Sequence, residues 1–214
     1  MTGIGVRLAL QAILAVVLCA AGRADGADRG YSKGTLHAKI EYCTLCHGLS
    51  GQGYRGFIPI PRLAGQQPEY FENQLRAFVE GRRRNRYMSN AARGLSAATR
   101  TALAEHFSSL HARPWGGATR GLVATGKRIY QDGDPETNVP ACMACHGPEA
   151  KGQNAIPRLA GQLPDYIFNK LVNWSSERGQ DPANPDVSAV MLPTSHNLTR
   201  SQISAIAAYL SYQP

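Results

Sequence analysis

The sequence CTLCHG at residues 43–48 recurs as CMACHG at residues 142–147. C-x-x-C-H is the attachment signature of a c-type haem. Two thiols one helical turn apart can each form a thioether with a haem vinyl group, and the adjacent imidazole can then bind the iron. A single copy also fits a redox dithiol or half of a zinc site, but two copies at matched places disfavour both alternatives. The motifs therefore predict that Cys43, Cys46, Cys142 and Cys145 attach two haems.

The similarity between the two stretches extends well beyond these motifs. The matched landmarks are IPRLAGQ at residues 60–66 and 156–162, PEY at 68–70 and PDY at 164–166, and Met88 and Met191, each seven residues before a leucine. Landmarks that recur in the same order indicate a duplicated domain. We place the first half at residues 25–114 and the second half at residues 119–214, with a linker at 115–118 in a Pro- and Gly-rich stretch.

Both halves show helical patterns and no long alternating strand pattern, so the predicted fold class is all-α. We expect a short helix over residues 33–42 and another over 68–80, where apolar residues recur at helical spacing. Ser96 and Thr199 are predicted N-caps of the last helix in each half, the first of which should run through Leu110. The first half has three extra residues between its histidine and its proline, which predicts a longer surface loop near residues 51–56.

Residues 1–24 have the pattern of an export signal. Arg7 precedes an apolar run over residues 8–21, and small residues follow. That run is too short to span a bilayer as a helix, although a retained membrane anchor is the alternative. Cys19 would suggest a lipoprotein, but Leu18 is bulky where a small residue is needed. We expect cleavage near residue 24 or 26 and a periplasmic protein whose four remaining cysteines hold haem and form no disulfide.

The methionine count singles out one candidate iron ligand in each half. Met1 would be lost with the signal, and Met143 lies between two cysteines of a motif. Met88 and Met191 remain, at matched positions after the middle helix of each half. A thioether ligand opposite histidine favours ferrous iron and raises the reduction potential. Core packing is the alternative role for a methionine, but equal placement in both halves favours ligation.

In these features the chain resembles the dihaem cytochrome c4 family, in which two class I cytochrome c domains form one electron-transfer protein. The resemblance covers nearly the whole chain after the signal. It implies a tandem of cytochrome c domains, each around one covalently attached haem c. It also implies that His47 and Met88 are the axial ligands of one haem, and that His146 and Met191 are those of the other.

The resemblance further implies that the backbone carbonyls of Pro61 and Pro157 accept hydrogen bonds from the histidine ligands and so orient their rings. A second group of polar and aromatic residues either contacts haem propionates or simply packs. Its members are Arg62, Arg158, Gln66, Gln162, Tyr70, Tyr166 and Trp174.

The net charge is +8, with a pI near 9.5, and it is distributed unevenly. Residues 25–118 have 13 Lys and Arg against 7 Asp and Glu, whereas residues 119–214 have 8 of each. The basic run over residues 82–86 predicts a docking surface for acidic redox partners, although such a run is usually just a solvated face. Nucleic acid is not expected as a partner, because no aromatic residues are interleaved with this run. Peripheral association with a membrane stays open.

The expected function is electron transfer without substrate chemistry, between a respiratory donor and a terminal oxidase or reductase. Closed histidine–methionine coordination would leave no position for a substrate, so we do not expect an enzyme. The alternative is a dihaem oxidoreductase resembling thiosulfate dehydrogenase, which would need an open position or an unusual ligand such as cysteine. A cytochrome subunit of a larger dehydrogenase also stays open.

Overall fold

Helices make up the framework of both halves in the computed structural model, which describes residues 33–178 and 187–214. The predicted export signal at residues 1–24 and its cleavage site lie outside these ranges. Within them there is no β-strand, only isolated β-bridges, and the predicted all-α class is confirmed. No helix of the described residues is long and apolar enough to cross a membrane.

The described part of the first half, from residue 33 onward, contains four helices. They are α1 (Lys33–His47), α2 (Pro68–Glu80), α3 (Arg86–Arg93) and α4 (Ala97–Ser108). The α1 helix continues five residues beyond its predicted end, through the whole C-x-x-C-H motif. Residues 35–47 contain no Gly or Pro that would stop the helix. The helix ends before Gly48, where φ is +80°. The α2 helix has its predicted bounds.

The described residues of the second half form a larger number of helices, several of them short. Its helices are α5 (Val123–Asp132), α6 (Met143–His146), α7 (Pro164–Val172), α8 (Trp174–Glu177), α9 (Met191–Asn197) and α10 (Arg200–Ser211), with 3₁₀ turns at Arg120–Leu122, Pro135–Thr137 and Val187–Val190. Gly133 ends α5, and a loop closed by a bridge between Asp134 and Val139 leads to α6. The second haem motif therefore lies on its own short helix.

Both predicted N-caps are present. The Ser96 side chain accepts a hydrogen bond from the amide of Thr99, and α4 ends at Ser108, two residues before its predicted end. Thr199 forms a complete capping box with Gln202 at the start of α10. These side chains satisfy amide groups that have no partner inside the helix.

Each half has its own hydrophobic core, and the described residues of both halves belong to one compact unit. The first core comes from α2, α3 and α4 and includes a stacked pair, Phe71 and Phe107, whose ring centroids are 5.5 Å apart. The second core comes chiefly from α5, α7 and α10. Gly126 of α5 lies against the backbone of Ala205 in α10, so these two helices cross at close range.

Candidate haem sites

The two cysteine pairs have the same environment in both halves. Cys43 and Cys142 are half-buried and pack against the first and second cores, whereas Cys46 and Cys145 are exposed. None of the four forms a disulfide. Before a haem is attached, burial raises the pKa of Cys43 and of Cys142 to about 11, so these thiols are protonated at neutral pH. Each pair thus presents one thiol at the edge of a core and one at the surface, which fits a group attached along that edge.

The two histidines are buried and held in one orientation. His47 is 6% exposed and His146 is 5% exposed. Nδ1 of His47 lies 2.9 Å from the carbonyl oxygen of Pro61, and Nδ1 of His146 lies 3.0 Å from that of Pro157. A carbonyl oxygen can only accept, so Nδ1 must carry the proton and Nε2 keeps its lone pair.

The electrostatics favour the same form of both rings. Burial lowers the pKa of His47 and of His146, and the hydrogen bonds to the proline carbonyls oppose this only in part. Both imidazoles are therefore neutral near pH 7. A neutral imidazole with a free Nε2 is the form that binds a metal.

Matched backbone hydrogen bonds bring each proline to its histidine. The amide of Gly53 donates to the His47 carbonyl at 2.8 Å, and that of Gly152 donates to the His146 carbonyl at 2.9 Å. Both glycines have positive φ, and a Cβ would lie 2.5 Å from the Ile60 oxygen in the first half. In the second half it would lie 2.3 Å from the corresponding isoleucine oxygen. Glycine is therefore needed at this turn in both halves.

The candidate methionines lie in the first turns of matched helices. Met88 lies in the first turn of α3, where the Asn85 side chain accepts a hydrogen bond from its amide at 3.0 Å. It packs against the same core as Cys43. Met191 is the first residue of α9 and is half-buried. In the second half it is Met143 that packs against the buried core.

Gln66 and Gln162, at the end of the repeated IPRLAGQ block, each bind the other half. Oε1 of Gln66 accepts from the amide of Arg158 at 2.7 Å, and its Nε2 donates to the Arg158 carbonyl at 3.1 Å. Gln162 binds the amide and carbonyl of Arg62 in the same way, at 2.8 and 3.1 Å. We call these four bonds the glutamine clamp. The clamp resolves the role that the sequence left open: both glutamines hold the interface between the halves.

The side chains of Arg62 and Arg158 fold back onto their own segments. Nε of Arg62 donates to the Ala64 carbonyl at 2.9 Å, and Nε of Arg158 donates to the Ala160 carbonyl at 3.1 Å. Burial, with a contribution from the nearby charge of Arg158, lowers the pKa of Arg62 to about 10. These bonds stabilise residues 62–64 and 158–160, and the clamp binds the backbone of Arg62 and Arg158 within these two segments.

The predicted docking surface at residues 82–86 is wrong for Arg83, which is buried. Its side chain is 8% exposed, and Nη2 donates to the Tyr166 hydroxyl of the second half at 2.6 Å. Nη1 donates to Gln74 at 3.0 Å, and the guanidinium lies over the Phe78 ring. The run is therefore not one continuous surface, because Arg83 belongs to the interface between the halves.

Other contacts surround Arg83 at this interface. The amide of Arg84 donates to the Glu177 carbonyl at 2.8 Å. Arg178 donates to Gln74 and, at 3.4 Å, to the Tyr70 hydroxyl, while its guanidinium lies over the ring of Trp174. The tyrosines and the tryptophan that the sequence could not place therefore lie in this group of contacts.

Removing either side of the glutamine clamp should lower the free energy of unfolding. Gln66→Ala leaves the amide and carbonyl of Arg158 without their partner, and an unsatisfied buried polar group costs about 1–3 kcal/mol. We expect Gln66→Ala, and likewise Gln162→Ala, to lower the free energy of unfolding of the holoprotein by about 2 kcal/mol in denaturant titrations. Gln153→Ala is the control, because that side chain is exposed. A Gln66→Ala protein as stable as this control would contradict the role of the clamp.

Comparison with known proteins also indicates that both halves of the chain bind haem. The sequence model of the cytochrome c family matches residues 123–213. A cytochrome c4 from Thiocapsa roseopersicina is 36% identical over 172 residues, which are 78% of this chain and 85% of the relative. A thiosulfate dehydrogenase electron acceptor from Thiomonas intermedia is 38% identical over 176 residues, 80% of this chain and 78% of the relative.

A solved structure extends the likeness to the fold. The cytochrome c4 of Acidithiobacillus ferrooxidans matches with a TM-score of 0.69 and 34% identity, over 80% of this chain and 99% of that one. The duplicated helical fold with its two motifs therefore defines a dihaem c-type cytochrome, which transfers electrons. The chain belongs to the cytochrome c4 family, and it carries two covalently attached haem c groups.

Proposed function

We propose that this protein is a periplasmic electron carrier that accepts electrons from thiosulfate dehydrogenase and delivers them to a terminal oxidase or reductase. The observation that carries the proposal is the matched pair of buried neutral histidines, each held at Nδ1 by a proline carbonyl. The donor is inferred from the Thiomonas intermedia relative, which is named as an electron acceptor of that enzyme. The periplasmic location rests on the export signal predicted at residues 1–24.

We assign Cys43 and Cys46 to the first haem and Cys142 and Cys145 to the second, one haem in each of the halves at residues 25–114 and 119–214. Each haem supplies an iron that alternates between the ferrous and ferric states. The chain controls that iron through its ligands. The proline carbonyl keeps each histidine ring in one orientation, and burial keeps water and protons away from it.

In this proposal His47 and Met88 would hold the iron of the first haem as its axial ligands, and His146 and Met191 would hold that of the second. A methionine thioether paired with histidine would raise the reduction potential. Two protein ligands on each iron would leave no position for a substrate, which suits electron transfer. The four cysteines of the described residues all belong to the C-x-x-C-H motifs, so none of them supplies the unusual ligand that the oxidoreductase alternative needs.

Reduction by a defined donor tests this function. The fully loaded protein is mixed with purified thiosulfate dehydrogenase from Thiomonas intermedia and thiosulfate, and haem reduction is followed by stopped-flow absorbance. We expect both haems to be reduced by the enzyme and no thiosulfate to be oxidised in its absence. Thiosulfate oxidation by the cytochrome alone would favour the oxidoreductase alternative, and no reduction by the enzyme would exclude this donor.

Arg84 and Arg86 are the exposed members of the basic run, and we propose that they attract an acidic partner. Charges at the rim of an interface act mainly on the association rate. The double variant Arg84→Ala, Arg86→Ala should slow reduction by the enzyme by about threefold to tenfold at low ionic strength and flatten its salt dependence. The control is Arg128→Ala, an exposed arginine of the second half. Equal rates for the double variant and the control would contradict this docking role.

A further inference from the structure

The turn that follows each haem motif differs between the two halves. In the first half, the backbones of Tyr54 and Ile60 exchange two hydrogen bonds of 2.9 Å and enclose a five-residue turn. In the second half, Gln153 and Ile156 exchange bonds of 3.0 and 2.8 Å around a turn of only two residues. The three extra residues predicted from the sequence form this longer turn. We call residues 54–60 the hairpin.

Contacts with the second half and the linker hold the base of the hairpin in place. Nε of Arg55 donates to the Asp165 carboxylate at 2.9 Å, and its Nη1 donates to the Gly117 carbonyl at 3.4 Å. The Trp115 indole donates to the carbonyl of Gln52, just before the hairpin. The tip is therefore presented in a fixed direction, and the one charged side chain of the hairpin is paired.

The tip of the hairpin is apolar and exposed. Phe57 is fully exposed and its neighbour Ile58 is 57% exposed, while Tyr54 at the base is 60% exposed. Gly56 lies against the Tyr54 ring, where a Cβ would be 2.6 Å from a ring carbon. Arg55, the only charged residue in residues 54–60, is neutralised by Asp165. An uncharged aromatic tip thus projects from the half of the chain that has the positive net charge.

A projecting aromatic side chain on a fixed backbone has the properties of an interface anchor. Large aromatic residues that enter a pocket of the partner contribute most of the energy in many interfaces. The base of the hairpin is bonded directly to the first haem motif, because Gly53 donates to the His47 carbonyl. A protein seated on the hairpin would therefore lie beside the first haem, and the short turn of the second half offers no equivalent.

We propose that the hairpin is a docking surface for thiosulfate dehydrogenase, with Phe57 as the anchor in an uncharged apolar pocket of the enzyme. This inference rests on the proposed function, and it makes the first haem the entry point for electrons. A second copy of the chain is the less suitable occupant, because two first halves of like positive charge would face each other. Since the tip is neutral, its contribution should not depend on salt, unlike that of Arg84 and Arg86.

Kinetics with the Thiomonas intermedia enzyme test the hairpin. We expect Phe57→Ala to raise the KM of the enzyme for the cytochrome about tenfold, by the same factor at low and high ionic strength. Phe57→Leu should retain most of the affinity, and Ile58→Ala should give a smaller increase. Leu122→Ala, an exposed apolar residue of the second half, is the control. Haem content and the rate of reduction by ascorbate should be unchanged in Phe57→Ala, because the Phe57 side chain is fully exposed.

The possible results separate the two proposals. If the enzyme reduces the wild-type protein and Phe57→Ala has the wild-type KM, the hairpin proposal is wrong and the proposed function stands. If the enzyme does not reduce the wild-type protein, both are wrong. If sedimentation shows a wild-type dimer that Phe57→Ala dissociates, the occupant is a second copy and the hairpin proposal is overturned.

Discussion

The variant Met88→Ala should lose about half of the long-wavelength ferric absorption band that reports iron–methionine bonding, because Met88 is one of the two proposed methionine ligands. Met191→Ala should lose the other half. The affected haem should also fall in midpoint potential by on the order of 0.1–0.2 V, within the span of about 0.8 V that axial ligands cover. Spectra and a redox titration of the purified protein measure both effects.

Met143→Ala is the matched control for these variants. Met143 packs against the second core, so its loss should lower stability while the band and both potentials keep their wild-type values. A full band in Met191→Ala, or a reduced band in Met143→Ala, would show that the ligand of the second haem has been assigned to the wrong methionine.

The variant Gly126→Ala should be strongly destabilised. The added Cβ would lie 1.9 Å from the carbonyl oxygen of Ala205 and 2.9 Å from Cβ of Tyr209, so α5 and α10 would have to separate. Alanine is favoured over glycine inside a helix by about 1 kcal/mol, but forced repacking of a tight core costs typically 1–3 kcal/mol and sometimes more. Because the contact is with backbone, which cannot rotate away, we expect a net loss of about 3 kcal/mol.

Denaturant unfolding of the holoprotein measures this loss. Gly121→Ala is the control, because a Cβ there would have no atom within 4 Å. We expect this control to stay within about 0.5 kcal/mol of the wild type. If the two alanine variants unfolded at the same denaturant concentration, the close crossing of α5 and α10 would not be a determinant of stability.

The features that sequence predicted well depend on signals within a few residues of one another. Pro68 begins α2 and Gly81 follows its last residue, so both ends of that helix are marked locally. Ser96 and Thr199 are caps of the same kind. The end of α1 was misplaced at residue 42, although the first strong stop signal after that point is Gly48.

The features that sequence missed depend on partners far along the chain. Arg83 looked like one of four equivalent surface arginines, but its partner Tyr166 is 83 residues away. The clamp joins residues 92 and 100 positions apart, which no local pattern reports. One signal was present: Gln66 and Gln162 recur in an identical block although iron chemistry needs neither of them.

The reciprocity of the clamp also bears on how copies of this chain could exchange parts. Every bond that Gln66 makes to the second half has a counterpart from Gln162, so a second half from another molecule would satisfy the first half equally well. The pairing within one molecule and the pairing between two molecules therefore differ only in the connection between the halves. That connection is short and tied down, since the amide of Trp115 donates to the Gly161 carbonyl at 3.4 Å and that of Gly116 to the Ser211 carbonyl at 2.8 Å. Shortening it until the two halves of one chain could no longer reach each other would therefore favour domain swapping at high protein concentration, with the clamp bonds formed between molecules.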